Sequence, residues 1–287
     1  MTAGNETSKR LAMIGLYGVL IPMGLLTLIP FLWLLTASLK SGDTFFTGLF
    51  LPHSEDGSIN WGGLTLSNFI RLFTEQGVGR AILNSLFLSS ATAVLATLSC
   101  AAGGFALARY QFRGRAFLTG LVLVALIIPA PLLLAPGYQW IYRLGLLDTY
   151  TALILPAIAP AFGVFLFRQA ARQSVPAELV EAARIDGCPE PAIFMVVGLP
   201  LLRPMVGAFL LITFLGTWNN FLTPQILLQS SERFPLAVAI AQLRGVYSTE
   251  YGLIMAGTLV SIAPVMILFL VLQREFIAGL TAGAVKG

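Results

Sequence analysis

Six apolar stretches punctuate the chain, at about Leu11–Leu39, Ala81–Ala108, Ala116–Pro136, Thr151–Phe167, Met205–Phe221 and Gly252–Leu272. None carries a lysine, arginine, aspartate or glutamate in its middle. A bilayer-crossing helix needs ~20 mostly apolar residues, so each stretch is a candidate span, the fourth and fifth being the shortest. Pro156 and Pro160 interrupt the fourth, and Pro129, Pro131, Pro136 and Pro264 fall in others. In a membrane bundle neighbouring helices re-satisfy the carbonyls that proline frees, so these positions are expected as kinks. The first stretch follows Lys9 and Arg10, as the core of a signal peptide would. It runs far past the usual ~7–15 apolar residues, and no small-x-small cleavage site follows, so an uncleaved span is expected.

Composition supports this reading. Of 287 residues, 57% are hydrophobic and 10% are charged. A soluble domain carries roughly a quarter charged residues, because water must wet its surface. This chain has too few, so its outer surface is expected to face lipid: an all-α integral membrane protein of six transmembrane helices. The net charge of +4 does not point to nucleic acid, because the basic residues sit between the apolar runs. There they set orientation. Lys9, Arg10, Arg109, Arg113, Arg115, Arg168, Arg172, Arg184, Arg203, Arg274 and Lys286 share one side, eleven of the 17 basic residues. Lys40, Arg71, Arg80, Arg143, Arg233 and Arg244 are on the other, and the positive-inside rule then puts both termini in the cytoplasm.

Candidate chemistry is sparse. His53 is the single histidine and is expected to be exposed in the first outer loop; Cys100 and Cys188 are expected at different levels, as free thiols. No Gly-x-x-x-x-Gly-Lys-Ser/Thr phosphate loop occurs, and no nucleophile, base or metal set is visible. The second stretch is rich in small residues, among them Ser85, Ser89, Ser90, Ala93, Ala96, Ser99, Ala102, Gly103 and Ala106. They suit close helix packing, the simpler reading, or a polar stripe along a pore. Asn84, Trp218, Asn219 and Asn220 have the amide and aromatic groups usual in a small-molecule site; hydrogen bonding between helices is an equal alternative.

The loop between the fourth and fifth stretches is the most informative segment. Pro176 stands where a first helical turn accepts it, Glu178 and Glu181 favour the positive end of a helix, and Gly187 supplies a left-handed stop. Pro189 opens a second short helix. Leu179, Ala182, Ala183 and Asp186 recur on one helical face, small in the centre and edged by charge, which suits a groove on another protein better than lipid. An isolated Glu181 would read as a solvated acid.

Glu181-Ala182-Ala183, Gly187 and Leu199-Pro200 resemble the signature loop of the inner-membrane permeases of ATP-binding-cassette importers. Ser67-Asn68-Phe69 with Arg71-Leu72, Trp218-Asn219 with Pro224, and the tail from Gln273 to Gly287 are similar to carbohydrate permeases of the maltose and glycerol-3-phosphate type, specifically the smaller permease subunit. The resemblance implies the type I importer fold, with a first helix and outer loop over 1–77, a transmembrane domain over 78–273 carrying the loop 169–200, and a cytoplasmic tail over 274–287. It implies that Glu178, Glu181, Ala182, Ala183, Arg184, Asp186 and Gly187 form a coupling helix seated on an ATPase subunit. The implied partners are a second, homologous permease subunit, two nucleotide-binding subunits holding ATP and magnesium, and an extracytoplasmic sugar-binding protein or lipoprotein; this chain would hold no cofactor. Substrate would be a neutral di- or oligosaccharide, with Asn84, Trp218, Asn219 and Asn220 as the candidates for touching its hydroxyls and rings, and with glycerol-3-phosphate or a related polyol as the alternative. An ion-coupled secondary transporter is the rival of another class, but its usual intramembrane ionisable groups are missing from the stretches.

Overall fold

A computed structural model of the chain describes residues 3–244 and 250–282. The tail from Gly283 to Gly287, and residues 245–249 of the loop before the last helix, lie outside that description. All named elements are helical: α1 (Ala3–Leu39), α2 (Ser67–Thr74), α3 (Val78–Arg109), α4 (Arg115–Ile127), α5 (Leu134–Arg143), α6 (Tyr150–Ala157), α7 (Ala161–Ser174), α8 (Ala177–Ile185), α9 (Glu190–Ile193), α10 (Leu199–Leu201), α11 (Arg203–Trp218), α12 (Leu222–Leu227), α13 (Leu236–Gln242) and α14 (Tyr251–Ala282), with short 3-10 turns between some of them. A single π-helical turn, Phe194–Gly198, joins α9 to α10.

Among the described residues, four helical segments are long and apolar enough to cross a membrane: Met13–Leu39, Val78–Arg109, Tyr150–Ser174 and Tyr251–Val271. Two further pairs qualify as broken spans, which brings the total to six when each pair counts once. Arg115–Ile127 and Ala130–Arg143 meet at 102°, and Glu190–Leu201 and Arg203–Trp218 meet at 83°. The stretch expected as one kinked span, Ala116–Pro136, is therefore two helices turned nearly at right angles. Pro129 is the cause: the residue before a proline is driven out of the helical region, and Ile128 is extended at φ −77°, ψ 119°. The second bend falls at Leu202 (φ −91°, ψ 1°), two residues before Pro204, which has no amide to donate.

The chain separates into two compact units, Met1–Gly77 with Gln242–Val260, and Val78–Ala241 with Ser261–Gly287. In the first, α2 closes the end of α1. Asn68, buried, donates its amide to the carbonyls of Ser38 (2.9 Å) and Lys40 (2.8 Å), groups that a helix end leaves without partners. Gly252 leaves room for this: a Cβ there would lie 2.6 Å from the Asn68 amide nitrogen. Lys40 is itself buried and gives its ammonium to the carbonyls of Gly48 and Leu49. Arg71 forks the Glu250 carboxylate and reaches Glu75 at 3.1 Å, and its hydrogen bonds hold the Glu250 carboxyl below the usual range. His53 is exposed, as its position in a polar loop suggests.

In the second unit α3 is the spine, packed on α7 and α11. Its buried side is the small-residue side: Ser85, Ser89, Ala93, Ala96, Cys100, Ala101 and Gly104. The core continues through Phe105, Phe167, Ala171, Val175, Val180, Ile193, Leu202 and Phe209. The helices touch almost backbone to backbone. A Cβ on Gly104 would lie 2.6 Å from the Arg168 nitrogen, and one on Gly163 would lie 2.6 Å from the Cys100 sulfur. The break between α6 and α7 at Pro160 is re-satisfied from α3, where the Ser99 hydroxyl donates to the Ile158 carbonyl and the Cys100 thiol to that of Pro160 (3.7 Å).

Candidate functional site

The loop singled out by its acidic and small residues folds as a short helix standing outside the spans. Pro176, extended at φ −60°, ψ 141°, starts α8, whose nine residues end in a left-handed turn. Gly187 has φ +81°, a conformation that costs any residue with a Cβ. The Gly187 amide donates to the Arg184 carbonyl and the Cys188 amide to that of Ala183, both at 3.0 Å, which satisfies the last carbonyls of the helix. Val180 is buried and Ala183 packs against the core, while Glu178, Leu179, Glu181, Ala182, Arg184 and Asp186 are exposed. The exposed face differs from the expected one at two positions. Ala183 turns inward because the core under α8 needs a small residue, and Ile185, not foreseen as a surface residue, stands 86% exposed. A lone isoleucine so open to water, with Leu179 and Ala182 beside it, gives the helix an apolar centre rimmed by charge.

Arg184 bends back from this surface. Its guanidinium meets the Glu190 carboxylate at 2.6 Å and 3.3 Å, and lies 5.4 Å over the Tyr110 ring. The Tyr110 hydroxyl donates to the Glu190 backbone carbonyl at 2.9 Å. Burial, then the neighbouring Glu190, pushes the phenol up to about 12. Sequence reasoning missed Tyr110 and Glu190, which no motif flagged.

Elsewhere in the same unit a cavity of about 660 Å³ opens between the bent segment 130–144, α6 and α12. Leucines and alanines form most of its wall, and Tyr138, Trp140, Asn220 and Thr223 supply the polar and aromatic groups; among the described residues no charged side chain lines it. A recess of about 50 Å³ shares Asn220 and Thr223 and adds Thr92 and Thr217. Of the four residues expected near a sugar, Asn220 alone lines this space. Asn84 donates to the carbonyls of Glu232 (2.9 Å) and Phe234 (3.0 Å) and accepts from Tyr150 (2.8 Å), so both of its amide protons are spent on the protein. Trp218 is buried, stacks on Phe214 with centroids 5.7 Å apart, and donates its indole N–H to the Ser261 carbonyl at 3.2 Å. Asn219 is exposed and donates to the Leu215 carbonyl of its own helix.

Asp148, the one described non-glycine residue with positive φ (57°), pins the rim of this region. Its carboxylate accepts from the amides of Gln229 (2.9 Å) and Ser230 (3.0 Å), from the Ser230 hydroxyl and from Arg233 (2.9 Å). The hydrogen bond from the Ser230 side chain is the largest cause of its depressed pKa, about 2. The loop after α12 is thereby tied to the start of α6.

Bent apolar spans around a cavity, with a short helix presented outside them, are the parts of a membrane translocation subunit. Residues 100–278 match the family described as the binding-protein-dependent transport system inner membrane component, and the chain belongs to it. It is a multi-pass permease component of the inner membrane, the ATP being hydrolysed by a partner subunit. It is 46% identical over 225 residues to the arabinooligosaccharides transport system permease protein of Halalkalibacterium halodurans, covering 78% of this chain and 80% of that one. It is 33% identical to the lactose transport system permease protein of Rhizobium radiobacter, over 97% of this chain and 98% of that one. Its fold superposes on a chain of a bacterial ABC transporter involved in the import of alginate with a TM-score of 0.77 at 24% identity, over 94% of this chain and 98% of that one.

Proposed function

We propose that the importer to which this chain belongs carries a neutral sugar of two or more rings. The observation that carries the reading is the cavity: its volume suits a small oligosaccharide, it has aromatic and amide groups, and it has no cation to meet a phosphate. The names of the relatives, arabinooligosaccharides and lactose, point the same way. Asn220, Trp140 and Tyr138 are the side chains that would touch the sugar, while Asn84 and Trp218 hold the walls in place. In this reading α8, with Glu178, Glu181, Ala182, Ala183, Arg184, Asp186 and Gly187, seats on one of two nucleotide-binding subunits. A second permease subunit completes the path, and an extracytoplasmic binding protein or lipoprotein delivers the sugar. Access alternates as ATP closes the nucleotide subunits. Residues 1–77 act as the N-terminal transmembrane helix and first extracytoplasmic loop, 78–273 as the translocating domain and 274–287 as the cytoplasmic tail.

The test is uptake by the complete importer in proteoliposomes. Labelled neutral oligosaccharide is expected to enter and glycerol-3-phosphate to be excluded. Trp140→Ala is expected to lower oligosaccharide uptake about tenfold, the equivalent of losing one contact of ~1.4 kcal/mol. A preference for glycerol-3-phosphate overturns the substrate, and undiminished uptake by the variant overturns the site.

Both termini and the loop 109–115 are placed in the cytoplasm on the strength of the basic residues. With Cys100 and Cys188 replaced, a cysteine at Gly114 is expected to resist an impermeant maleimide added to intact cells. Efficient labelling from outside reverses the orientation.

A further inference from the structure

The segment linking α8 to the spans is short and built around a left-handed glycine. Only Asp186, Gly187, Cys188 and Pro189 separate α8 from α9, and Gly187 sits at φ +81° with open space where a Cβ would be. A load applied to α8 through such a turn would swing the helix about Gly187 and reach the spans weakened. Side chains on either side of the turn bridge it. Arg184, in the last turn of α8, forks the carboxylate of Glu190, the first residue of α9. Forked guanidinium–carboxylate pairs fix orientation as well as distance. The same guanidinium lies on the Tyr110 ring, and the Tyr110 hydroxyl donates to the Glu190 carbonyl. Tyr110 follows directly on α3, so one ring is joined to both sides of the glycine turn and to the spine of the bundle.

The contact does not stop there. Tyr110 packs edge-on against Phe105 at 5.3 Å, and Phe105, fully buried, lies 5.6 Å from Phe194. Phe194 opens the π-helical turn that leads into the bend at Leu202 and so into α11. Gly198 closes this turn against the Phe105 ring, where a Cβ would stand 2.8 Å from the ring. A π-helical turn is a place where a helix can yield by one residue without losing its hydrogen bonds throughout, and such turns gather at functional sites.

We propose that Tyr110, Arg184 and Glu190 form a clamp that carries the displacement of α8 to α3 and, through Phe105 and the π-helical turn, to the bend before α11. Tyr110 and Glu190 are positioning residues: they touch neither sugar nor nucleotide, and they make the turn at Gly187 stiff enough to transmit load. The inference rests on the reading of α8 as the surface seated on the nucleotide-binding subunit. Physical continuity alone does not establish coupling, so the measurement must separate attachment from transmission.

Tyr110→Phe removes one hydroxyl and keeps the ring; Glu190→Gln keeps the shape and removes the charge that Arg184 forks. Each is made in the full chain and assembled with all its partners, beside Glu181→Lys as a control on the exposed face. Three quantities are read: co-purification of the nucleotide-binding subunit, ATPase rate, and sugar imported per ATP hydrolysed. Tyr110→Phe and Glu190→Gln are expected to keep full attachment and ATP turnover while sugar per ATP falls roughly threefold to tenfold, the range one lost hydrogen bond commands. An unchanged ratio in both variants overturns the clamp, and so does loss of attachment, which would make these residues part of the docking surface. Normal attachment and uptake by Glu181→Lys overturns instead the docking role of α8.

Discussion

Two helices of this chain answer equally well to the description of a long apolar span, and they have opposite surroundings. The window of highest hydropathy in α1 has none of its residues buried, whereas that in α3 is 56% buried. Hydropathy does not distinguish them, being 2.2 for the first and 1.7 for the second. Side-chain size does. The segment Leu11–Leu39 is dominated by leucine and isoleucine, large residues that present much surface to acyl chains, while α3 is lined with serine, alanine and glycine where α7 and α11 approach. In lipid, burying an apolar side chain against protein gains little over leaving it in acyl chains, so association comes from close packing and interhelical hydrogen bonds. Large residues then mark the face left to lipid, and small ones the face given to neighbours.

Glycine is the sharpest probe of that contrast, since both helices contain it. Gly104→Val has the largest expected effect. The new side chain would have to enter space held by the backbone of Arg168 and the Cβ of Phe167, so α3 and α7 must part. Overpacking of this kind costs typically ~1–3 kcal/mol, and more where backbone cannot give. Membrane abundance and the unfolding temperature of the assembled complex are expected to fall together, and a variant as abundant and stable as the parent breaks the comparison. Gly18→Ala is expected to do almost nothing. No atom lies within 4 Å of a Cβ built there, and helix propensity favours alanine over glycine by up to ~1 kcal/mol. A loss of stability at Gly18 sharpens the comparison in the other direction: that face of α1 would then be covered by another subunit in the complex.

How far the sequence discloses this architecture depends on the physics each feature obeys. The apolar stretches are legible because desolvating charge in a bilayer is costly, and every span or bent pair in the structure overlaps one of them. The stop at Gly187 is legible because few residues besides glycine accept its backbone angles. The right-angle bend at Ile128 is not legible, since the proline that makes it reads the same as one that merely kinks a helix. Pro264, in the same kind of apolar run, stays inside an unbroken α14. Nor can one tell from residue type where a buried amide points. Asn84 and Asn220 are alike in sequence, yet one is spent on two loop carbonyls and the other lines the cavity. The partnership of Tyr110 with Glu190 joins residues 80 positions apart and has no periodicity to betray it. Local rules reach the elements, and only tertiary packing reveals which faces they share.

The close contacts at Gly104, Gly163 and Gly198 also have a consequence for inheritance. Every glycine codon begins with two guanines, and a change in either of them ends the chain or introduces a residue with a Cβ. At these three positions a Cβ would come within 3.0 Å of a neighbouring heavy atom. Drift there is expected to favour the silent third base, while glycines such as Gly15 and Gly24 on the open face of α1 meet no such barrier. A line of descent should therefore wander freely along the lipid-facing side of the first span and stand nearly still where α3 crosses α7, with the boundary between the two set by the radius of one carbon atom.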